Sequence, residues 1–279
     1  MRLCSIFAAV LVLPLASHAT TYDVKDLSEL GQLCSHKSFS IESDGTTYRC
    51  TGEIVLPAGD KIISSLPEKE ITLKADYGIV LEGNNTIGDP NKRISLHALA
   101  TGLTVNNEKA SSIDDYQNKH TVIYGDLLSA YPTKLHNILI DGNIKLTGST
   151  LHIDGAYNTI IGDISTHSTT DIFNANICGK VESQGDTLHL KTNHPLQDHF
   201  VVGDIVAHSS LLIDDMEIYG TTETKGASAA LNGSFYGSTT AIKYFQTLNF
   251  NNAPNQPSQV CGEIQQTPGS AQTKVQDNK

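Results

Sequence analysis

The chain has 279 residues, a formal net charge of −11, no tryptophan and few other aromatic residues. A surface of that sign repels nucleic acid and anionic lipid headgroups, which excludes both as partners. Arg49 and Arg93 are the arginines left beyond the first twenty residues, so binding built on arginine clamps or aromatic platforms is disfavoured.

In chain order, the first element is a leader. Arg2 precedes an apolar run from Leu3 to about Leu15, and Ala16-Ser17-His18-Ala19 follows with small residues at the third-last and last places. That is the pattern of a secretory signal peptide over 1–19, with the mature chain starting at Thr20. The run is shorter than the ~20 residues needed to cross a bilayer, and no later segment replaces it. The expected location is therefore periplasmic, cell-surface or extracellular. Export implies an oxidising compartment, where Cys34, Cys50, Cys178 and Cys261 form an even set. Four cysteines allow three pairings. The preferred one joins Cys34 to Cys50 across a short loop and leaves Cys178 with Cys261. Close Cys/His pairs of the zinc type are absent from the sequence, so no metal or other cofactor is expected.

Residues 20–52 read as a cap region, in which DVKDLSELGQLC (23–34) forms a short amphipathic helix that shields the edge of the first coil. From about Glu53 to Phe250 the chain reads as strands. Its centre carries a repeat: IYGDL, IDGNI, IIGDI, ICGKV, VVGDI, IYGTT and FYGST, centred on Gly125, Gly142, Gly162, Gly179, Gly203, Gly220 and Gly237. Four of the six glycine separations are 17 residues and the other two are 20 and 24. Side chains alternate faces along a strand, so the residues two before and two after each glycine share a face. They are Ile123 and Leu127, Ile140 and Ile144, Ile160 and Ile164, Ile177 and Val181, Val201 and Ile205. Branched aliphatics stacked in this way predict a parallel β-helix with glycines where the interior is narrow or the chain bends. The alternative is a β-sandwich, whose hairpins do not require equal spacing with the same residue types at the same offsets. The pattern weakens at Ile218/Thr222 and Phe235/Thr239, as in a terminal coil with a modified core. The longer gaps predict loops inserted at a coil corner, one of them holding 191–199. Residues 251–279 form a C-terminal segment, and after Cys261 it is polar enough to be expected without structure.

At the I-x-G-x-I units the chain resembles the bactofilins, polymer-forming bacterial scaffold proteins with a short triangular β-helix between flexible tails. The resemblance covers about Gly125 to Gly237, with IIGDI, ICGKV and VVGDI the nearest matches. It implies assembly through coil ends without nucleotide, and a surface, pilus or biofilm-matrix scaffold that self-associates or meets other cell-surface proteins. This chain departs from the bactofilins in its leader, its disulfides and its irregular corner loops.

The candidate chemistry is sparse. Asp126, Asp163 and Asp204 each follow a repeat glycine, and with Asn143 and Lys180 at the same offset they read as a solvated ladder rather than converging acids. His167 and His208 read as corner histidines, and Asp114-Asp115 and Asp214-Asp215 lack an EF-hand or nonapeptide calcium pattern. No nucleophile elbow, H-E-x-x-H pair or phosphate loop is present. The expectation is a non-enzymatic scaffold. A glycan-binding adhesin is the alternative, and a polysaccharide lyase or hydrolase is the third reading.

Overall fold

The computed structural model describes residues 19–107, 120–192, 200–201, 203–226, 228–233, 235–236, 241–244, 247–251, 259–261, 263–266 and 274–278. Leader residues 1–18, Asp114, Asp115, Gly237, Thr239 and the insertion at 193–199 lie outside them. The described strands, β1 to β34 in chain order, form three sheets of 11, 12 and 11 strands. Successive strands go to successive sheets, so the chain winds as a three-faced parallel β-helix, as the repeat predicts. Parallel pairing throughout the stack rules out the sandwich. Among the described residues the one antiparallel ladder joins β2 (Phe39–Ile41) to β3 (Thr47–Cys50).

One turn shows the plan. On the first face, β11 (Thr121–Tyr124) ends at Gly125; β12 (Leu127–Ser129) runs along the second face, and β13 (Thr133–His136) along the third. Asn137 then returns the chain to the first face at β14 (Ile138–Asp141). Above these stand β15 (Ile144–Leu146), β16 (Leu151–Asp154), β17 (Asn158–Ile161), β18 (Ile164–Thr166), β19 (Thr170–Phe173), β20 (Ala175–Ile177), β21 (Val181–Ser183) and β22 (Thr187–Lys191). Ile123, Ile140, Ile160 and Ile177 are paired in register up the first face. Leu127, Ile144, Ile164 and Val181 do the same up the second. All eight are buried. Further up, Val201, Ile205 and Ile218 continue the files, and Thr222 is a buried polar core residue, the modified core expected there.

The glycines sit at the corner between the first and second faces. A Cβ on Gly142 would stand 2.1 Å from the carbonyl oxygen of Gly125, and on Gly179 2.1 Å from that of Gly162. Gly162, Gly203 and Gly220 meet the carbonyl of the glycine below in the same way, at 2.2–2.3 Å. Each glycine is thus required by the turn beneath it. At the corner between the third and first faces, Asn137, Gly155, Asn174, Asp215 and Gly233 adopt φ of 50°, 104°, 51°, 53° and 58°. This left-handed conformation is open to Gly and tolerated by Asn and Asp.

The first coil is capped. Asp26 accepts hydrogen bonds from the Ser28 and Glu29 amides and starts α1 (Leu27–Leu30), which runs into a 3-10 turn at Gly31–Leu33. Leu30 and Leu33 are buried. Cys34 makes an antiparallel bridge to Ile54 at the edge of the third face and is disulfide-bonded to Cys50. The predicted first pairing is therefore present.

Three expectations are corrected. Cys178 and Cys261 are free and exposed. They follow Ile177 and Val260, which lie in one column separated by four strand-to-strand steps, or about 19 Å at ~4.8 Å per step. A disulfide needs Cα atoms within about 7 Å. The stack also extends beyond Glu53–Phe250: β3 pairs with β6 (Glu70–Ala75) below, and β33 (Glu263–Gln266) and β34 (Lys274–Asn278) pair in parallel above. The polar strands β33 and β34 gain order from backbone hydrogen bonding to an existing sheet edge, which needs few apolar side chains. Finally, the extra residues of the 20-residue repeat are shared between two corners, 147–150 and 155–157, rather than gathered at one.

Candidate functional site

The aligned Asp126, Asn143, Asp163, Lys180 and Asp204 do form a ladder, and its work is structural. Asp126 Oδ1 accepts from the Asn143 amide at 2.8 Å, Asn143 Oδ1 from the Asp163 amide at 2.9 Å, and Asp163 Oδ1 from the Lys180 amide at 2.8 Å. Asp204 repeats this with Thr221 at 2.8 Å. Each of these four side-chain oxygens satisfies the N–H of the turn above at the corner where the strand ladder is interrupted, while Lys180, which has only donors, turns to Glu182. The acids rise along the axis instead of converging on a point.

His167 and His208 stay apart. His167 Nδ1 lies 3.0 Å from the Leu146 carbonyl, and His208 Nε2 3.1 Å from Glu182 Oε1. Glu182 also accepts from Lys180 Nζ at 2.7 Å; that hydrogen bond, with the one from His208, holds its carboxyl below the ordinary range against the opposing effect of burial. Asp214 is engaged by His189 and Lys191, while Asp215 turns the following corner and its carboxyl is pushed up by burial and by the Asp214 charge.

The densest chemistry is on the outer side of the third face. Register carries two outward columns through β13, β16, β19, β22 and β25 (Ser210–Asp214). One reads Lys134, His152, Asp171, His189, Leu212; the other reads His136, Asp154, Phe173, Lys191, Asp214. Alternation puts these side chains outside because their neighbours Leu135, Ile153, Ile172, Leu190 and Ile213 fill the interior. The left-handed corner follows directly, so the second column stands at the rim.

Imidazoles and carboxylates interlock along this face. His136 Nδ1 lies 2.6 Å from Asp154 Oδ1, and His152 Nε2 3.3 Å from Asp154 Oδ2. An ionised carboxylate only accepts, so both rings donate to Asp154. One step on, His189 Nε2 lies 3.3 Å from Asp214 Oδ2 and its Nδ1 3.7 Å from Asp171 Oδ1; Lys191 Nζ is 3.8 Å from Asp214. The Asn232 amide also donates to Asp214. Phe173 stands between the groups, edge-on to His152 at 5.6 Å and to His189 at 5.4 Å between centroids.

Two hollows open on this face. The first, of about 300 Å³, is lined among others by Asn106, Lys134, His136, His152 and Asp154. The second, of about 320 Å³, is lined by His152, Asp154, Gly155, Phe173 and Asn174. They share the His152/Asp154 wall. Small-molecule sites start at about 300 Å³, so each hollow has room for one ring-sized unit. The groups on offer are hydrogen-bond donors and acceptors plus one apolar ring. Among the described residues no group of three His, Cys, Asp or Glu is placed to hold a metal ion.

Apart from Asp214, this face carries none of the residues singled out from the sequence. Its signal was present: the residues of the two columns follow the repeat glycines by nine to twelve positions turn after turn. Outward positions vary in residue type, so their recurrence is hidden until register aligns them.

No family model matches the chain, and neither a curated protein nor a solved structure does. Among the described residues no helix is long and apolar enough to cross a membrane.

Proposed function

We propose that the chain is an exported β-solenoid that binds a glycan along its third face, acting at or outside the cell surface. The observation that carries this reading is the pair of adjoining hollows sharing the His152/Asp154 wall. Polyhydroxylated chains are recognised by planar donors and acceptors that meet neighbouring hydroxyls, with an aromatic ring for the C–H face of a sugar. Asp154, two imidazoles and Phe173 supply that set. A regular stack of strands supplies a flat, rigid track on which successive sugars meet successive turns. The buried disulfide of the cap is consistent with an oxidising compartment. The cap also covers one of the two coil ends that end-to-end polymerisation would use, which favours binding over the self-assembling scaffold.

The test is affinity electrophoresis through gels containing plant, bacterial or animal polysaccharides, followed by titration calorimetry on those that retard the protein. Phe173→Ala and Asp154→Ala should lose retardation, and Lys145→Ala on the second face should keep it. Retardation by no polysaccharide, or equal retardation of all four proteins, would sink the proposal.

A further inference from the structure

We propose that the first hollow selects a carboxylated sugar, so that the ligand is a uronate-containing glycan. This rests on the glycan reading above and names the ligand's class. Lys134 is exposed on β13, directly below His152 in its column and beside His136, and it lines the hollow. Its ammonium has no carboxylate within ion-pair distance among the described residues, whereas Lys191, in the next group along the face, is spent on Asp214. The carboxylate nearest in register, Asp154, is already shared by two imidazole donors, one on each oxygen. Asn106, also exposed and lining the hollow, offers an amide donor whose side chain has no partner among the described residues. Among the described residues the unspent donors of the hollow are therefore one cation and one amide, the pair that a ligand carboxylate takes up. The acidity of the whole chain does not oppose this, because charges more than about 8 Å away are screened at physiological ionic strength. The local balance decides.

An exposed charge pair of this type corresponds to a preference of up to about fivefold for the charged ligand over its neutral twin. The experiment titrates the whole protein with polygalacturonate and polymannuronate, each beside its methyl-esterified form, at low and physiological salt. Preference for the acid forms that falls with salt, and that Lys134→Met removes while binding of the esters is unchanged, is the expected result. Lys134→Arg should restore much of it. Equal affinity for acid and ester would overturn carboxylate selection and leave glycan binding standing. Binding of neither polyuronate also overturns it; retardation by a neutral polysaccharide in the earlier gels then preserves the broader reading, and its absence removes both.

Discussion

His136 and Asp154 occupy one outward column on adjacent strands, with Nδ1 of the imidazole 2.6 Å from the carboxylate. The pair is half-exposed, and such pairs contribute about 0.2–1 kcal/mol to stability. Asp154→Asn should therefore leave the melting temperature nearly unchanged. It should weaken glycan binding by about tenfold or more, the ~1.4 kcal/mol expected when a charged acceptor that orients two rings is lost. Calorimetry on wild type and variant, with thermal melts alongside, reads both quantities.

Asp163 behaves in the opposite way. Its carboxylate serves the Lys180 amide, so Asp163→Ala should destabilise the protein by about 1 kcal/mol in urea titrations, and Asp163→Asn should restore most of that. Neither should change ligand affinity. A loss of binding in Asp163→Asn would show that the ladder has a second role.

Gly179→Ala places a methyl group 2.1 Å from the Gly162 carbonyl oxygen and 2.7 Å from Asp163 Oδ1. The expected cost is about 2–3 kcal/mol or more, since the turn below cannot withdraw without breaking its own ladder. Gly59, where an added Cβ meets nothing, is a useful contrast. Its φ of 83° limits the cost of substitution to about 1–2 kcal/mol of backbone strain. Chemical denaturation separates the two.

The cysteines give a prediction in chemistry alone. Without reductant, an alkylating reagent should modify Cys178 and Cys261 and spare Cys34 and Cys50, as peptide mapping by mass spectrometry will report. Replacing both Cys34 and Cys50 by alanine opens a loop with a sequence separation of 16 and should cost about 3 kcal/mol. Cys178→Ser and Cys261→Ser should cost little.

Acid should destabilise the fold in two stages. Burial, reinforced by the Lys74 charge, holds His97 below its ordinary 6.5. The unfolded chain takes up that proton first, so stability is full above 6.5 and declines as the pH falls toward the lower folded value. The depressed Glu182 carboxyl acts with the same sign below its ordinary 4.5, chiefly through its hydrogen bond from Lys180. His97→Gln should flatten the first stage and Glu182→Gln the second in melts recorded from pH 7 to 3.

What could be read in advance follows from which side of the strand a residue faces. Ile160, Gly162 and Ile164 announce themselves because the interior admits few residue types, and a carbonyl from the neighbouring turn admits only glycine at the corner. The Cys34–Cys50 bridge was legible because it is local. Cys178 and Cys261 were misjudged because separation along the chain says nothing about height in a stack; register alone sets them four steps apart. Phe173 and its two histidines were missed for a related reason. Solvent-facing positions are free to differ, and Asp154 becomes a shared acceptor only when the strands on either side are laid in place.

The three corners differ in how much change they admit. Along the repeat from Gly125 to Gly220 the glycine corner stays short, each turn measured against the one beneath it, whereas lower in the stack the same corner lengthens at 64–69 and 88–92. The extra residues of the 20-residue repeat enter at the other two corners, at 147–150 and 155–157, and those two corners are the borders of the third face. Along the repeat the scaffold thus keeps a fixed seam on one side and leaves the margins of its working surface open to remodelling, so loops grafted beside Phe173 could redirect what is bound without retuning the frame that holds it.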